Sequence, residues 1–398
     1  ADTKVNVNFT NDLYTVTLGN VDPTNKEAVI KAVSEITDST LEEAKTLVES
    51  APKVLKENIT EAEADEIIAK ITEAGGTASR PERYTVSLTP VEHGTVTANP
   101  VIPASGKVDK DTEITFTAEP NEGYKVDTWT ITPASALQEG GTAGSTTAKV
   151  KITAATTVNV SFTLKTYTVT FGAEGTGGTL KAKTDKITET SASPISVEHG
   201  EIVTFTAAPE PGYKVGTWTI TGGTFEAGTG TSGSPTAKVK VTAATKVSIS
   251  FTKNEYTVTF DAKGGTPVPA AQTVKYKEKA TEPPALTKEG HTFEGWYNKA
   301  GDSLWNFAVN EVTGNTELYA KWRINTYAVT FGTPANGTLK AEIAGTVILT
   351  TNEVEYGKIV TFTAAPESGY KVDKWTITPA SALQEGGIEG NTTAKVKI

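Results

Sequence analysis

Residues 154–163 read AATTVNVSFT and residues 243–252 read AATKVSISFT, and in each the apolar side chains alternate. Val158, Val160 and Phe162 share one face of an extended segment, as do Val247, Ile249 and Phe251. Alternation over this length is the mark of a half-buried β-strand. Residues 1–10, ADTKVNVNFT, repeat the pattern with Val5, Val7 and Phe9, while Lys4, Asn6 and Asn8 take the opposite face. The last copy of the preceding segment, TTAKVKI, stops at Ile398, the counterpart of Ile152 in TTAKVKITAATTVNVSFT. The final module is therefore expected to lack its closing strand, and the chain to carry a strand of that kind at its start.

Working outward from these strands, two further signatures recur. Tyrosine-led segments begin at Tyr84, Tyr167, Tyr256 and Tyr327 (YTVSL, YTVTF, YTVTF, YAVTF). Each pairs with a second anchor, GYKVDTW from Gly123, GYKVGTW from Gly212, GHTFEGW from Gly290 and GYKVDKW from Gly369. Repetition at this spacing predicts four related modules, at 84–164, 167–253, 256–323 and 327–398. Short alternating runs rich in Thr, Val, Tyr and Phe, set between Gly, Pro, Asn and Ser turns, predict small antiparallel sheets. Tyr124 and Val126 have the opposite parity to Trp129 and Ile131, which predicts a bulge near Asp127 and Thr128.

Residues 13–80 depart from this pattern. After the strand LYTVTL, helical periodicity runs through Val29, Val33 and Ile36, then Leu41, Ala44 and Val48, then Ala64, Ile67, Ile68 and Ile71. Capping boxes are expected from Thr24 with Glu27, Ser39 with Glu42 and Thr60 with Glu63. The fold expected is thus mainly β: a leading strand at 1–12, one compact α/β domain with three helices, then tandem β modules, the last incomplete.

Composition narrows the function. The 398 residues carry a net charge of −10 with no basic block, which disfavours nucleic acid as a partner. No apolar run approaches the roughly 18 residues that cross a bilayer, so no membrane insertion is expected. Cysteine and methionine are both absent, which excludes a disulfide framework and thiol chemistry. Without a methionine, Ala1 reads as the start of a mature chain after removal of a signal peptide, which places the protein outside the cell.

The ingredients of catalysis are sparse. His93, His199 and His291 lie in different modules and read as turn or surface residues. Asp109, Asp111 and Glu113 lack the glycine and terminal glutamate of a calcium loop. Trp129, Trp218, Trp296 and Trp375 hold one fixed place in every repeat and read as core anchors, with Trp305 and Trp322 peculiar to one module. The glycine-rich loops lack the lysine of a phosphate cradle. No nucleophile, base and orienting group come together, so no enzyme and no cofactor are expected.

Two resemblances add to this reading. NKEAVIKAVSEIT, LEEAKTLVESAPKVLKE and EADEIIAKITEAGG resemble the C-terminal domain of the bacterial ribosomal stalk protein, which implies its compact α/β fold for residues 13–80. In that family a basic surface near the second helix recruits translation factors; here Glu42 and Glu43 stand in that turn, and TDST replaces a glycine-rich loop. VTFDAKGGT, GHTFEGWYNKAGD and TELYAKW resemble the internalin-type B-repeat shared by Listeria and Bacteroides surface proteins, and the other modules resemble its divergent form. That resemblance implies a secreted or cell-surface stalk of small β-grasp-like or sandwich-like modules.

Together these observations lead to an expected head-to-tail homopolymer. Val5, Val7 and Phe9 would enter an acceptor formed by Phe362, Trp375, Ile377, Val396 and Ile398 of the next copy, building an extracellular, pilus-like filament by donor-strand complementation. An adhesin or spacer segment of a longer tandem-repeat cell-surface protein is the alternative, with a host or neighbouring cell surface as a further partner.

Overall fold

A computed structural model describes residues 13–398. The expected leading strand, with Val5, Val7 and Phe9, lies outside the described residues. The rest of the chain is mainly β with three helices, in five successive hydrophobic cores.

The α/β domain packs helices Lys26–Thr37, Leu41–Glu49 and Glu61–Glu73 over a three-stranded sheet whose central strand is Tyr14–Leu18. Its core is Val16, Leu18, Val29, Val33, Ala44, Ala64 and Ile71, each fully shielded from water. The caps differ in part from expectation. The box on the second helix is Thr40 with Glu43, one residue later than Ser39 with Glu42, because Glu43 returns a 2.8 Å bond to the Thr40 amide. Thr60 with Glu63 forms as expected. Thr24 caps nothing: its N–H and hydroxyl both donate to Asp22, and Asn25 precedes the first helix. Leu41, at the exposed start of its helix, is 60% accessible and stands outside the core.

Modules 84–164 and 167–253 are each two facing sheets. In the first, Lys107–Asp109, Arg83–Leu88, Thr156–Leu164 and Tyr124–Thr132 make one sheet, and Gly94–Asn99, Glu113–Pro120, Thr147–Lys151 and Leu137–Gly140 the other. The inward faces interdigitate around Phe116 and Ile114, or Phe205 and Val203 in the second module. Module 256–323 is built on one five-stranded sheet, with Trp296 and Phe260 edge to face at 5.0 Å. The parity switch is a bulge in each: Asp127 and Thr128 stand opposite Ser161 alone, and the same break recurs between Val215 and Trp218 and between Phe293 and Gly295.

The tryptophans pack as the repeat pattern implies. Trp129, Trp218 and Trp375 each donate their indole N–H to a carbonyl, of Ser145, Ser234 and Asn391 respectively, at 2.8–2.9 Å. Trp305 and Trp322 are half-buried and pack against the core of module 256–323. The acidic turn is paired: Asp109 with Arg83, Asp111 with Lys151 and Glu113 with Lys149.

Ion pairs tie the α/β domain to the first module. Glu61 accepts from Lys107 at 2.8 Å and from Arg80 at 3.0 Å, and both Arg80 and Arg83 lie over the ring of Tyr14. The Lys107 bond holds the Glu61 carboxyl below its ordinary range. A depressed carboxylate contributes above its unfolded pKa, and that contribution is lost as the pH falls through the folded value. The contact between the two domains should therefore loosen below about pH 4, and Glu61→Gln should loosen it at neutral pH; cross-domain NMR contacts measured against pH check both. In module 167–253, Phe205→Ala should cost about 3–5 kcal/mol, read as a lower urea midpoint for that module.

Candidate strand-accepting groove

In each of the first three B-type modules one strand lies between two others and pairs with both. Thr156–Leu164 pairs in parallel with Arg83–Leu88 and antiparallel with Tyr124–Thr132. Thr245–Lys253 does the same between Thr166–Glu174 and Tyr213–Thr221, and Thr316–Ile324 between Glu255–Asp261 and His291–Asn298. These central strands are the alternating segments that close each module in sequence. Their inward side chains are core: Val158, Val247 and Ile249 are fully buried and Val160 almost so. The third inward residue packs where no Cβ fits. Phe162 lies 2.5 Å from the Cβ that Gly94 would carry, Phe251 at the same distance from that of Gly178, and Trp322 covers Gly265.

In the last module the two flanking segments face each other across a groove. Among the described residues Thr326–Thr330 pairs only with Thr351–Glu355. Residues 370–378, whose counterparts Tyr124–Thr132 and Tyr213–Thr221 are nine-residue strands, form no ladder with any of the described residues. The difference follows from pairing: a strand is held by its neighbours' hydrogen bonds, and the neighbour on this side is the closing strand. The other half of the module is well formed, as the five-stranded sheet containing Gly337–Ile343, Ile359–Pro366 and Thr393–Lys397.

The groove has a volume of about 720 Å³, and Phe362, Trp375, Ile377, Val396 and Ile398 all line it, together with Val329, Leu339 and Ala382. The acceptor residues expected from the sequence are thus brought together. Their environment differs from that of their counterparts: Phe362 is 8% exposed where Phe116 is 0%, and Trp375, Ile377 and Ile398 are only half-buried where Trp129, Ile131 and Ile152 are buried. A second cavity of about 410 Å³ adjoins, sharing Leu339 and Trp375, with Gly337 in its wall. Gly337 opens the hairpin that Gly94 and Gly178 open in the earlier modules. At the counterpart positions of the first two B-type modules stand two branched aliphatic side chains and a ring, Val158, Val160 and Phe162 or Val247, Ile249 and Phe251. Sequence reasoning found the groove but missed the Gly337 pocket, although GTL or GTV after the first turn of each divergent module was its visible signal.

The comparisons with known proteins agree with this architecture. The divergent InlB B-repeat domain matches residues 84–166, 167–255 and 335–394, more than half of the chain. The chain belongs to this B-repeat family. The Listeria-Bacteroides repeat domain matches residues 256–321, and the Ribosomal protein L7/L12 C-terminal domain matches 14–79. The chain is 37% identical to internalin H of Listeria monocytogenes over 123 residues, 30% of this chain and 20% of that protein. It is 54% identical to the large ribosomal subunit protein bL12 of Elusimicrobium minutum over 63 residues, 16% of this chain and 50% of that protein. A protein of Evansella cellulosilytica is 44% identical over 79 residues, 20% of this chain and 9% of its own length. The chain therefore spans half or less of each of these relatives. Among solved structures, the TIE protein of Bacillus anthracis aligns with 96% of this chain and 88% of its own, at 9% identity and a TM-score of 0.30. No helix among the described residues is long and apolar enough to cross a membrane.

Trp375→Phe should retain the groove but lose the indole bond to the Asn391 carbonyl. We expect a loss of about 1 kcal/mol in the stability of the last module, measured by urea unfolding followed through the remaining module transitions.

Proposed function

We propose that the chain is a non-enzymatic stretch of a tandem B-repeat array at the cell surface, acting as a spacer or adhesin segment, in which the groove of module 327–398 is completed by a strand of V-x-V-x-F pattern. The observation that carries this is the match between the groove, with its Gly337 pocket, and the side chains that fill the same space in the first two B-type modules. Completion would bury two aliphatic chains and a ring, on the order of 5–9 kcal/mol before ordering costs. It would also pair two strand edges that otherwise invite aggregation.

The array reading is favoured by the short share of the relatives' length that the chain spans. It is favoured too by residues 9–18, FTNDLYTVTL, which have the form of the junction FTKNEYTVTF at 251–260. On this reading residues 1–10 close a preceding module and the groove is filled by the polypeptide's own continuation.

One observation supports a second reading, donor-strand polymerisation into a filament: residues 1–10 carry the required pattern themselves. The two readings share a groove and differ in the donor. Hydrogen exchange on the chain mixed with the peptide AATTVNVSFT should show residues 370–378 protected by at least about tenfold. The same peptide with aspartate at its second inward valine should give none. Unchanged exchange with the first peptide would overturn both readings. Light scattering then separates them, since head-to-tail growth predicts polymers that Val7→Asp abolishes, whereas the array reading predicts a monomer that still binds the peptide.

A further inference from the structure

Successive B-type modules are joined by one residue. The closing strand Thr156–Leu164 is followed by Lys165 and then by the opening strand Thr166–Glu174; Asn254 and Asn325 hold the same place at the next two junctions. Both backbone groups of each joining residue are engaged, one with each module. Lys165, Asn254 and Asn325 donate their N–H to the carbonyls of Gly123, Gly212 and Gly290 in the module before, at 2.8, 2.8 and 2.9 Å. Their carbonyls accept from the N–H of His199, Tyr276 and Tyr356 in the module after, at 2.8, 2.8 and 2.9 Å. A peptide bonded in this way on both sides cannot act as a free swivel.

A side-chain contact accompanies each of these bridges. The rings of His199, Tyr276 and Tyr356 lie directly on Gly123, Gly212 and Gly290, so closely that a Cβ on any of the three glycines would overlap the ring. At the second junction Tyr213 meets Tyr276 edge to face at 6.0 Å, and Lys253 pairs with Glu278. At the third, the Tyr356 hydroxyl donates to Glu289 at 2.5 Å. The glycines have φ of +81°, +85° and +66°, but the turn does not owe its shape to the ring. Gly369 makes the same turn in the last module, at φ +88°, with no atom of the described residues near enough to touch a Cβ. Turn conformation and ring contact are thus separable requirements.

The junction with the α/β domain is built otherwise. Lys110 stands in the ring's position, its N–H bonded to the Glu82 carbonyl at 2.7 Å and its Nζ paired with the Glu82 carboxylate. The glycine and ring pairing therefore belongs to contacts between one B-repeat and the next.

We propose that this pairing is a docking interface that fixes the orientation of each B-repeat on its predecessor, the glycine turn being the receptor and the Tyr or His tip of the following module the ligand. His199, Tyr276 and Tyr356 are its positioning residues. The inference concerns the internal junctions alone and stands whether or not the groove of the last module takes a donor strand.

The absence of cysteine allows a direct test on the full chain. Spin labels at Lys246→Cys and Glu311→Cys report the second junction, and labels at Glu311→Cys and Lys340→Cys the third. Each pair should give one narrow distance distribution. Tyr276→Ser should broaden the first by about twofold or more, since domains without a fixing interface move relative to one another, and Tyr356→Ser should do the same to the second. Each variant should leave the other junction's distribution unchanged, and Tyr276→Phe should keep the narrow form. Calorimetry on the same samples should show every module transition retained. Distributions that stay narrow in both serine variants would overturn the proposal, as would broad ones in the parent chain.

Discussion

In each of the first three B-type modules a single strand stands between two edges that no other part of the module pairs. On one side it runs parallel to the opening strand, on the other antiparallel to the tryptophan-bearing strand. Because parallel partners cannot be joined by a tight turn, the closing strand must come late in the sequence, after the chain has crossed the second sheet. That order has a consequence for the core. Val158, Val160 and Phe162 arrive last, into space already walled by Phe116, Trp129 and Val150, so most of the module can form while its middle stays open. The last module displays that condition: its five-stranded sheet is formed, while residues 370–378 have no strand partner among the described residues, unlike Tyr124–Thr132.

Much of this was legible because repeats align. An offset of one module places Phe362 on Phe116 and Ile398 on Ile152, so the acceptor set could be named without knowing any angle or distance. The bulge at Asp127 and Thr128 was legible for a similar reason, since a change of parity within a strand requires an extra residue. Local chemistry was harder to read. Ser39 and Thr40 are both good caps, and each has a glutamate three residues on; the choice of Thr40 is made by where the helix packs, with Ala44 and Val48 turned to the core. Least legible were the roles of the histidines. His199 and His93 share the tetrapeptide VEHG, yet one sits on the glycine of a neighbouring module and the other stacks on Tyr124 of its own at 4.3 Å. Aligning VEHG at 197–200 with VDKD at 108–111 already sets the two histidines in different places of the repeat, but what each ring touches is visible only in the fold.

The α/β domain shows how far likeness of fold carries. Its three helices and core follow from periodicity, and its relatives among the ribosomal proteins share more than half their residues with it over that stretch. The surface has different work. Glu43 is committed to capping its own helix, its carboxyl held low by the Thr40 amide, and Glu61, Arg80 and Lys107 link the domain to the first B-repeat. These contacts set one face of the domain against the first B-repeat.

Closing a module and placing the next one are tasks of the same short segment. The strand that fills the core with Val247, Ile249 and Phe251 ends at Lys253, and the following residue, Asn254, is the one whose amide and carbonyl bridge Gly212 to Tyr276. The bridge can be made only if the closing strand is in register, because a slip of one residue would turn Val247, Ile249 and Phe251 to solvent and exchange Asn254 for a neighbour of opposite direction. Register in one module is thereby converted into orientation of the next. Errors in a long row of flexible links accumulate with every link, whereas here each junction is set by the core that precedes it, and the row inherits its geometry from the packing of its parts.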